Sequence, residues 1–367
     1  MDKFDLVLSG VERAEYALRS LYLKYGFSQY KMSKFEEYDL YAQNKDFLVS
    51  ENVITFNDTD GKLLALKPDV TLSIIKNGKD DLLGVQKVFY NENVYRVSKG
   101  THSFKELMQV GLECIGDIDE YEIVEVLSLA VKSLKTLSGE FVLDISHLEL
   151  VNALLEKSGL SENGKAKVFN YLSEKNAQAV KMVCESENVQ KEFADYLNTL
   201  VTVYGKPSKV LSALEKIKVS GVTECVEQLK RIISALSSLN VDQNVNIDFS
   251  VVSDTNYYNG IVFKGFLSGI PTSILSGGQY DKLMKKMKKK SKAIGFAVYL
   301  DELETIYETD KNYDVDLAIE YANGVDALKL NKFIEEKIKS GLSVITGKNI
   351  SDKIRYAKLI KFDGEDK

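Results

Sequence analysis

The chain has 367 residues, of which 44% are hydrophobic and 28% charged, with a formal net charge of −6. That length and apolar content suffice for a large buried core, and the expected organisation is one big domain plus a small one. Charges of both signs are interspersed, which excludes a general affinity for nucleic acid or for acidic membrane surfaces.

In chain order, the first element is a helix whose apolar positions Val11, Ala14, Leu18, Leu21 and Tyr22 recur at helical spacing and stop at Gly26. Residues 53–56 and 62–66 then flank Asp58-Thr59-Asp60-Gly61, a turn signature that predicts an antiparallel hairpin. Further strands are expected over 86–96, 107–115 and 140–145, with a helix over about 120–134. From about 146 to 240 the pattern turns almost wholly helical, with Leu155, Val168, Leu172, Leu197, Leu211, Leu214, Leu229 and Ile233 on successive amphipathic segments. Strands resume at 245–252, 257–266, 272–275 and 293–299. A last piece, from about 313 to 367, reads as strand (314–320), helix (326–339), strand (342–346) and helix. The expected fold class is α+β, an antiparallel sheet flanked by helices, with a helical insertion and a small C-terminal α/β piece.

Three scattered cysteines, Cys114, Cys184 and Cys225, form no CxxC pair, so neither a disulfide framework nor a zinc site is expected. A reducing, cytoplasmic setting fits best. The N-terminus lacks the layout of a signal peptide, and no apolar run approaches the roughly 18 residues that cross a bilayer, so no membrane association is expected. His102 and His147 are the only histidines. They leave few ligands for a metal centre or a serine-type triad, and ordinary loop or packing roles are expected; no cofactor or metal is predicted.

The strand over 107–115 carries the first chemistry. Alternation places Met108, Val110, Leu112 and Cys114 on one face and Gln109, Gly111 and Glu113 on the other. A strand with one wet face gives the same pattern, and so does a ligand-facing strand in which Gly111 lets a ligand approach the backbone. The neighbouring strand ends in Val94-Tyr95-Arg96, followed by a polar loop through Ser98, Lys99, Gly100 and Thr101. If the two strands pair, Arg96 stands near that second face, where an arginine, a glutamine and a glutamate could hold a zwitterion.

Val94-Tyr95-Arg96, its loop and the run from Phe104 to Glu113 resemble motif 2 of histidyl-tRNA synthetases. Leu66-Lys67-Pro68-Asp69-Val70-Thr71 is similar to their upstream arginine-proline-glutamate-glycine-threonine segment. Ser253-Asp254-Thr255-Asn256-Tyr257-Tyr258-Asn259-Gly260-Ile261-Val262-Phe263 resembles the histidine-specific segment. Gly277-Gly278-Gln279-Tyr280-Asp281 with Gly295-Phe296-Ala297 resembles the entry to motif 3. The resemblance implies a class II synthetase-like domain over 1–310, with its helical insertion at about 146–240. It also implies that 311–367 is shortened relative to an anticodon-binding domain.

Departures from the family pattern point away from catalysis. Activating histidine with ATP develops negative charge that positioned cations must stabilise, and losing one such donor costs on the order of 3 to 4 kcal/mol. Where the synthetases place an arginine ahead of the paired tyrosines this chain has Ser253, and where motif 3 ends in an ATP-binding arginine it has Glu302 within Asp301-Glu302-Leu303. Gln279 replaces a third arginine. The positions that hold histidine are kept or conservatively changed: the resemblance implies Asp69, Thr71 and Gln109 at the amino group, Glu113 with Tyr258 at the imidazole, Tyr257 beside them, and Arg96 at the carboxylate.

A histidine pocket without ATP chemistry resembles the ATP phosphoribosyltransferase regulatory subunit family, non-catalytic paralogues of histidyl-tRNA synthetase. Membership implies assembly with a short-form catalytic subunit, self-association into a dimer within a larger hetero-oligomer, and L-histidine as feedback effector in the first step of histidine biosynthesis. The alternatives are a histidyl-tRNA synthetase itself, or a synthetase-like histidine-binding module with another client. The lysine run Lys282, Lys285, Lys286, Lys288, Lys289, Lys290 and Lys292 reads as a solvated helix end and loop, or as a contact for an acidic partner. It lacks the interleaved aromatics of a single-strand binder, so nucleic acid is not an expected partner.

Overall fold

The computed structural model describes residues 8–44, 53–78, 84–97, 103–251, 257–303 and 313–363. The chain divides into two compact units, Met1–Leu303 and Glu304–Lys367.

Helix α1 (Gly10–Lys24) opens with a capping box in which Ser9 and Glu12 satisfy each other's backbone N–H groups, and it ends before Gly26, at φ +80°. Its buried stripe is Ala14, Leu18 and Tyr22. The expected hairpin is present: β3 (Thr55–Asn57) pairs antiparallel with β4 (Leu63–Leu66), and β2 (Phe35–Glu37) covers the other edge of β4. The turn is held by Asp58 Oδ1, which accepts from the backbone of Asp60 at 2.9 Å and of Lys62 at 2.8 Å. A two-residue strand β1 (Ser28–Gln29), helix α2 (Tyr38–Ala42) and helix α3 (Thr71–Asn77) complete the N-terminal part.

The main sheet has eight strands. Its centre is antiparallel: β5 (Val85–Val97), β6 (Phe104–Gly116), β11 (Lys292–Tyr299), β10 (Leu275–Gln279), β9 (Ile261–Leu267) and β7 (Phe141–His147), in that spatial order. The expected all-antiparallel sheet needs one correction, because both edges are parallel. β1 adds to β5, and β8 (Val245–Ile247) adds to β7. The second pair is parallel because the chain makes a long helical excursion between its strands, which is the kind of crossover a parallel pair needs.

One face of this sheet is packed by α1 and α4 (Glu120–Leu137). Tyr22 lies 6.1 Å from both the Phe89 and Phe296 rings and bonds Ser133 through its hydroxyl at 3.0 Å. Leu134 fills the space that a side chain at position 265 would need. Burial of this layer, including Leu112, Cys114, Leu127 and Phe263, leaves the opposite face free to be polar.

The helical insertion consists of α5 (Leu148–Lys157), α6 (Glu162–Ser173), α7 (Ala177–Ser186), α8 (Lys191–Thr202), α9 (Pro207–Leu214) and α10 (Val222–Ser238). Leu155, Val168, Leu172, Leu197, Leu214 and Leu229 are buried as their spacing predicts, while Leu211 and Ile233 are half-buried. Strand 245–252 is shorter than expected. Asp248 accepts from Ser250 N at 2.8 Å and turns the chain there.

The second unit contains β12 (Val315–Tyr321), α12 (Ala327–Lys339), β13 (Val344–Gly347) and β14 (Tyr356–Phe362). The helix expected at its end is a strand. β12 is the middle strand of three, with Leu317, Ala318 and Ile319 buried, and both of its edges need hydrogen-bond partners. β13 takes one edge and β14 the other, each parallel to β12.

Candidate functional site

The polar face of the main sheet is built on glycines. Cross-strand register sets Glu113 of β6 opposite Gly295 of β11, and Gly295 opposite Gly278 of β10; Gly111 stands opposite Ala297, and Gln109 opposite Tyr299. Each glycine makes room for a neighbour's side chain. A Cβ on Gly295 would overlap Glu113 Oε2, and one on Gly111 would overlap the Tyr90 hydroxyl; one on Gly278 would lie 2.8 Å from Tyr258 Cδ1. The absence of side chains is thus what lets Glu113, Tyr90 and Tyr258 lie flat across the strands.

Glu113 is the hub. It is 2% exposed, accepting from the Thr71 hydroxyl at 2.7 Å on one oxygen and from the Tyr280 hydroxyl at 2.6 Å on the other. Burial raises its pKa to about 8, against the opposing pull of those two hydroxyls. Gln109, on the same face, is also buried, so the alternating pattern of β6 is not that of a strand with a wet face. Its amide Nε2 has no hydrogen-bond partner among the described residues. A buried donor left unpaired costs about 1–3 kcal/mol, which makes this position the one most in need of an acceptor.

Asp69 precedes α3 and accepts from Leu72 N at 2.9 Å, so one of its oxygens is spent on the helix start. Burial pushes its pKa up; the backbone N–H groups of Leu72 and Thr71 and the nearby Arg96 pull it down. Arg96 donates through Nε to the Pro68 carbonyl at 3.0 Å, which holds its guanidinium beside Asp69 and within electrostatic reach of Tyr299. Behind them, fully buried Lys67 pairs with Glu92, which is opposite Gln109 in the ladder.

Aromatic rings close the cleft. Tyr257 and Tyr258 are 4.5 Å apart between centroids, and Tyr257 is 5.9 Å from Tyr280. Tyr257 bonds Thr71 and Tyr258 bonds Ser276. Burial raises the pKa values of Tyr90, Tyr257, Tyr258 and Tyr280 well above the ordinary phenol value, so all four stay protonated and able to donate. The loop bearing the tyrosine pair is fastened to β10 and helix α11 (Asp281–Lys286): Asn259 Nδ2 donates to Asp281 Oδ2 at 3.0 Å, Asp281 N donates back to Asn259 Oδ1 at 2.7 Å, and Ile261 N donates to Gln279 Oε1 at 2.8 Å. Gln279 is therefore part of the frame rather than of the cleft.

Of the expected residues, Asp69, Thr71, Arg96, Gln109, Glu113, Tyr257 and Tyr258 come together around this one cleft. Ser253 and His102 lie outside the described residues. Glu302 sits in a 3₁₀ turn (Asp301–Leu303) after β11, exposed, and accepts from the Thr272 hydroxyl at 3.1 Å. Its neighbour Asp301 accepts from Met108 N at 3.1 Å, just beyond the last β6–β11 pair, Gln109 with Tyr299. His147 has the packing role expected of it: Nδ1 accepts from Leu150 N at 3.4 Å at the start of α5, and Nε2 meets Gln228 Oε1 at 2.9 Å. The lysine run is largely exposed, with Lys289 donating to the Gly78 carbonyl at 2.7 Å.

Sequence reading missed Tyr280, Tyr90, Tyr299 and Ser276. Alternation back from Arg96 through Val94 and Glu92 would have put Tyr90 on the cleft face, and Tyr280 lies within a segment already singled out. Among the described residues no group of three or more His, Cys, Asp or Glu side chains is arranged to hold a metal ion, and no helix is long and apolar enough to cross a membrane.

Residues 8–303 match the family model described as histidyl-tRNA synthetase. A protein of Caldanaerobacter subterraneus subsp. tengcongensis named ATP phosphoribosyltransferase regulatory subunit is 30% identical over 290 residues, covering 78% of this chain and 75% of the relative. The chain belongs to the ATP phosphoribosyltransferase regulatory subunit family, built on the histidyl-tRNA synthetase fold. A second member, from Oceanobacillus iheyensis, is 25% identical over 355 residues and spans 94% of this chain and 87% of its own. A crystal structure described as an ATP phosphoribosyltransferase regulatory subunit/histidyl-tRNA synthetase from Bacillus halodurans C has the same fold. It superposes with a TM-score of 0.79 at 22% identity, over 96% of this chain and 93% of that one. Every residue of the cleft falls within the span that the family model matches.

Proposed function

We propose that this chain is a non-catalytic regulatory subunit that assembles with a short-form ATP phosphoribosyltransferase catalytic subunit, is needed for its activity, and conveys feedback by L-histidine in the first step of histidine biosynthesis. Histidine occupies the cleft around Glu113. Its ammonium group meets Asp69, Thr71 and the amide oxygen of Gln109, its imidazole meets Glu113 and Tyr258 with Tyr257 alongside, and its carboxylate meets Arg96 and accepts from Gln109 Nε2. The subunit works in the cytoplasm, as a dimer within a larger hetero-oligomer, and the short C-terminal unit serves packing or assembly rather than tRNA binding.

The observation that supports this most is the buried, unpartnered amide of Gln109 beside a fully engaged Glu113. It is a polar group arranged for a ligand rather than for the fold. Adenylate formation is not expected, since residue 253 is serine and residue 302 is glutamate, neither of them the cation that developing phosphate charge requires. Calorimetric titration should show L-histidine binding to the purified chain, and exchange of pyrophosphate into ATP should be absent; rapid histidine-dependent exchange would refute the proposal. Gln109→Leu should weaken histidine tenfold or more without lowering the thermal midpoint of the unliganded chain, because the amide has no partner to lose among the described residues.

A further inference from the structure

Strand β9 brings a cation to the cleft face. Lys264 stands opposite Ser276 of β10, Ser276 opposite Ala297 of β11, and Ala297 opposite Gly111 of β6. Opposed residues in a ladder leave the sheet on the same side, so Lys264 projects from the face that carries Glu113 and Gln109. Its neighbour Ser276 is the hydrogen-bond partner of Tyr258, whose ring crosses Gly278 on the same strand. On the other flank Asp144 of β7 accepts from Asn246 at 3.1 Å and makes no ion pair with Lys264.

Lys264 is half-buried and, among the described residues, forms no hydrogen bond or ion pair. Burial alone shifts its pKa, and the shift is downward. Other lysines of this unit are matched to buried or half-buried carboxylates: Lys67 to Glu92, Lys87 to Glu125 and Lys175 to Asp248. A desolvated ammonium without a counter-charge is unfavourable, and an anion delivered from solution relieves it. The cleft already presents an acceptor for an ammonium group in Asp69. Arg96, the cation assigned above, is tied to the Pro68 carbonyl beside Asp69, on the α3 flank. An amino acid whose ammonium group turns toward α3 directs its carboxylate toward the opposite strands, β10 and β9.

We propose that Lys264, in place of the Arg96 contact assigned above, is the ligand-binding residue that takes the carboxylate of the amino acid held in this cleft, and so selects amino acids over the corresponding amines. The proposal rests on the histidine reading of the cleft. Its test is titration of L-histidine and histamine, which lacks the carboxylate, into the wild type, Lys264→Met and Lys264→Arg. Wild type should prefer histidine. Lys264→Met should lose tenfold or more in histidine affinity while its histamine affinity stays level, and Lys264→Arg should keep most of the preference. Thermal melting of Lys264→Met no lower than wild type excludes a folding defect. Wild-type histidine binding that survives Lys264→Met unchanged, or an equal loss for both ligands, would overturn the role of Lys264. A wild type that binds no histidine would overturn the underlying reading of the cleft as well.

Discussion

Glu113 holds a carboxyl group in a place that disfavours its charge. Its folded pKa of about 8 lies above the usual carboxylate value, so in the pH range between about 4.5 and 8 the folded protein binds a proton that the unfolded chain releases. Stability from this group is therefore greatest in acid and is lost as pH rises through that window, at up to about 1.4 kcal/mol per pH unit. Glu113→Gln keeps the shape of the neutral carboxyl and removes the titration. Thermal melts from pH 5 to pH 9 should show the variant gaining on the wild type as pH rises; parallel curves would show that Glu113 titrates normally. At this scale the chemistry was readable where alternation or a motif marked it, as for Gln109, Glu113 and Tyr258. Tyr280 and Lys264 were harder to see, because their roles depend on which strands become neighbours across β9, β10 and β11. No periodicity within one strand carries that information.

Strands β6, β10 and β11 act as a floor because glycines occur on the cleft face where larger residues would lift the polar side chains away. Gly295→Ala tests this directly: the new methyl group would collide with Glu113 Oε2 and crowd the Leu112 carbonyl, displacing the carboxyl from Thr71 and Tyr280. Overpacking of this kind typically costs about 1–3 kcal/mol. A thermal midpoint several degrees lower, together with loss of histidine binding, is the expected outcome, and unchanged binding would show that Glu113 does not need its present position. Elements with strong local signals were legible from sequence, including α1 with its cap and closing glycine, the Asp58–Gly61 hairpin, the long β5–β6 pair and the insertion helices. β14 was not, since four of its first five side chains are exposed and its strand state comes from the open edge of β12. The parallel pairing of β8 with β7 was hidden for a related reason: the two strands are separated by the whole helical insertion.

At the scale of the molecule, the proposal is that a synthetase fold keeps the part of its sheet that holds an amino acid, while the sequence lacks cations suited to phosphate at positions 253 and 302. On the proposed reading, the response to histidine is conformational or associative rather than chemical. Such coupling between two sites typically amounts to about 1–3 kcal/mol, enough to change a partner's activity severalfold. The most direct measurement is the rate of ATP phosphoribosyl transfer by a short-form catalytic subunit, alone and reconstituted with this chain, across a titration of L-histidine. The account predicts little activity from the catalytic subunit alone, strong activation on adding the chain, and inhibition by histidine that Glu113→Gln weakens. A catalytic subunit equally active without the chain, or a complex whose rate is unmoved by histidine, would contradict it.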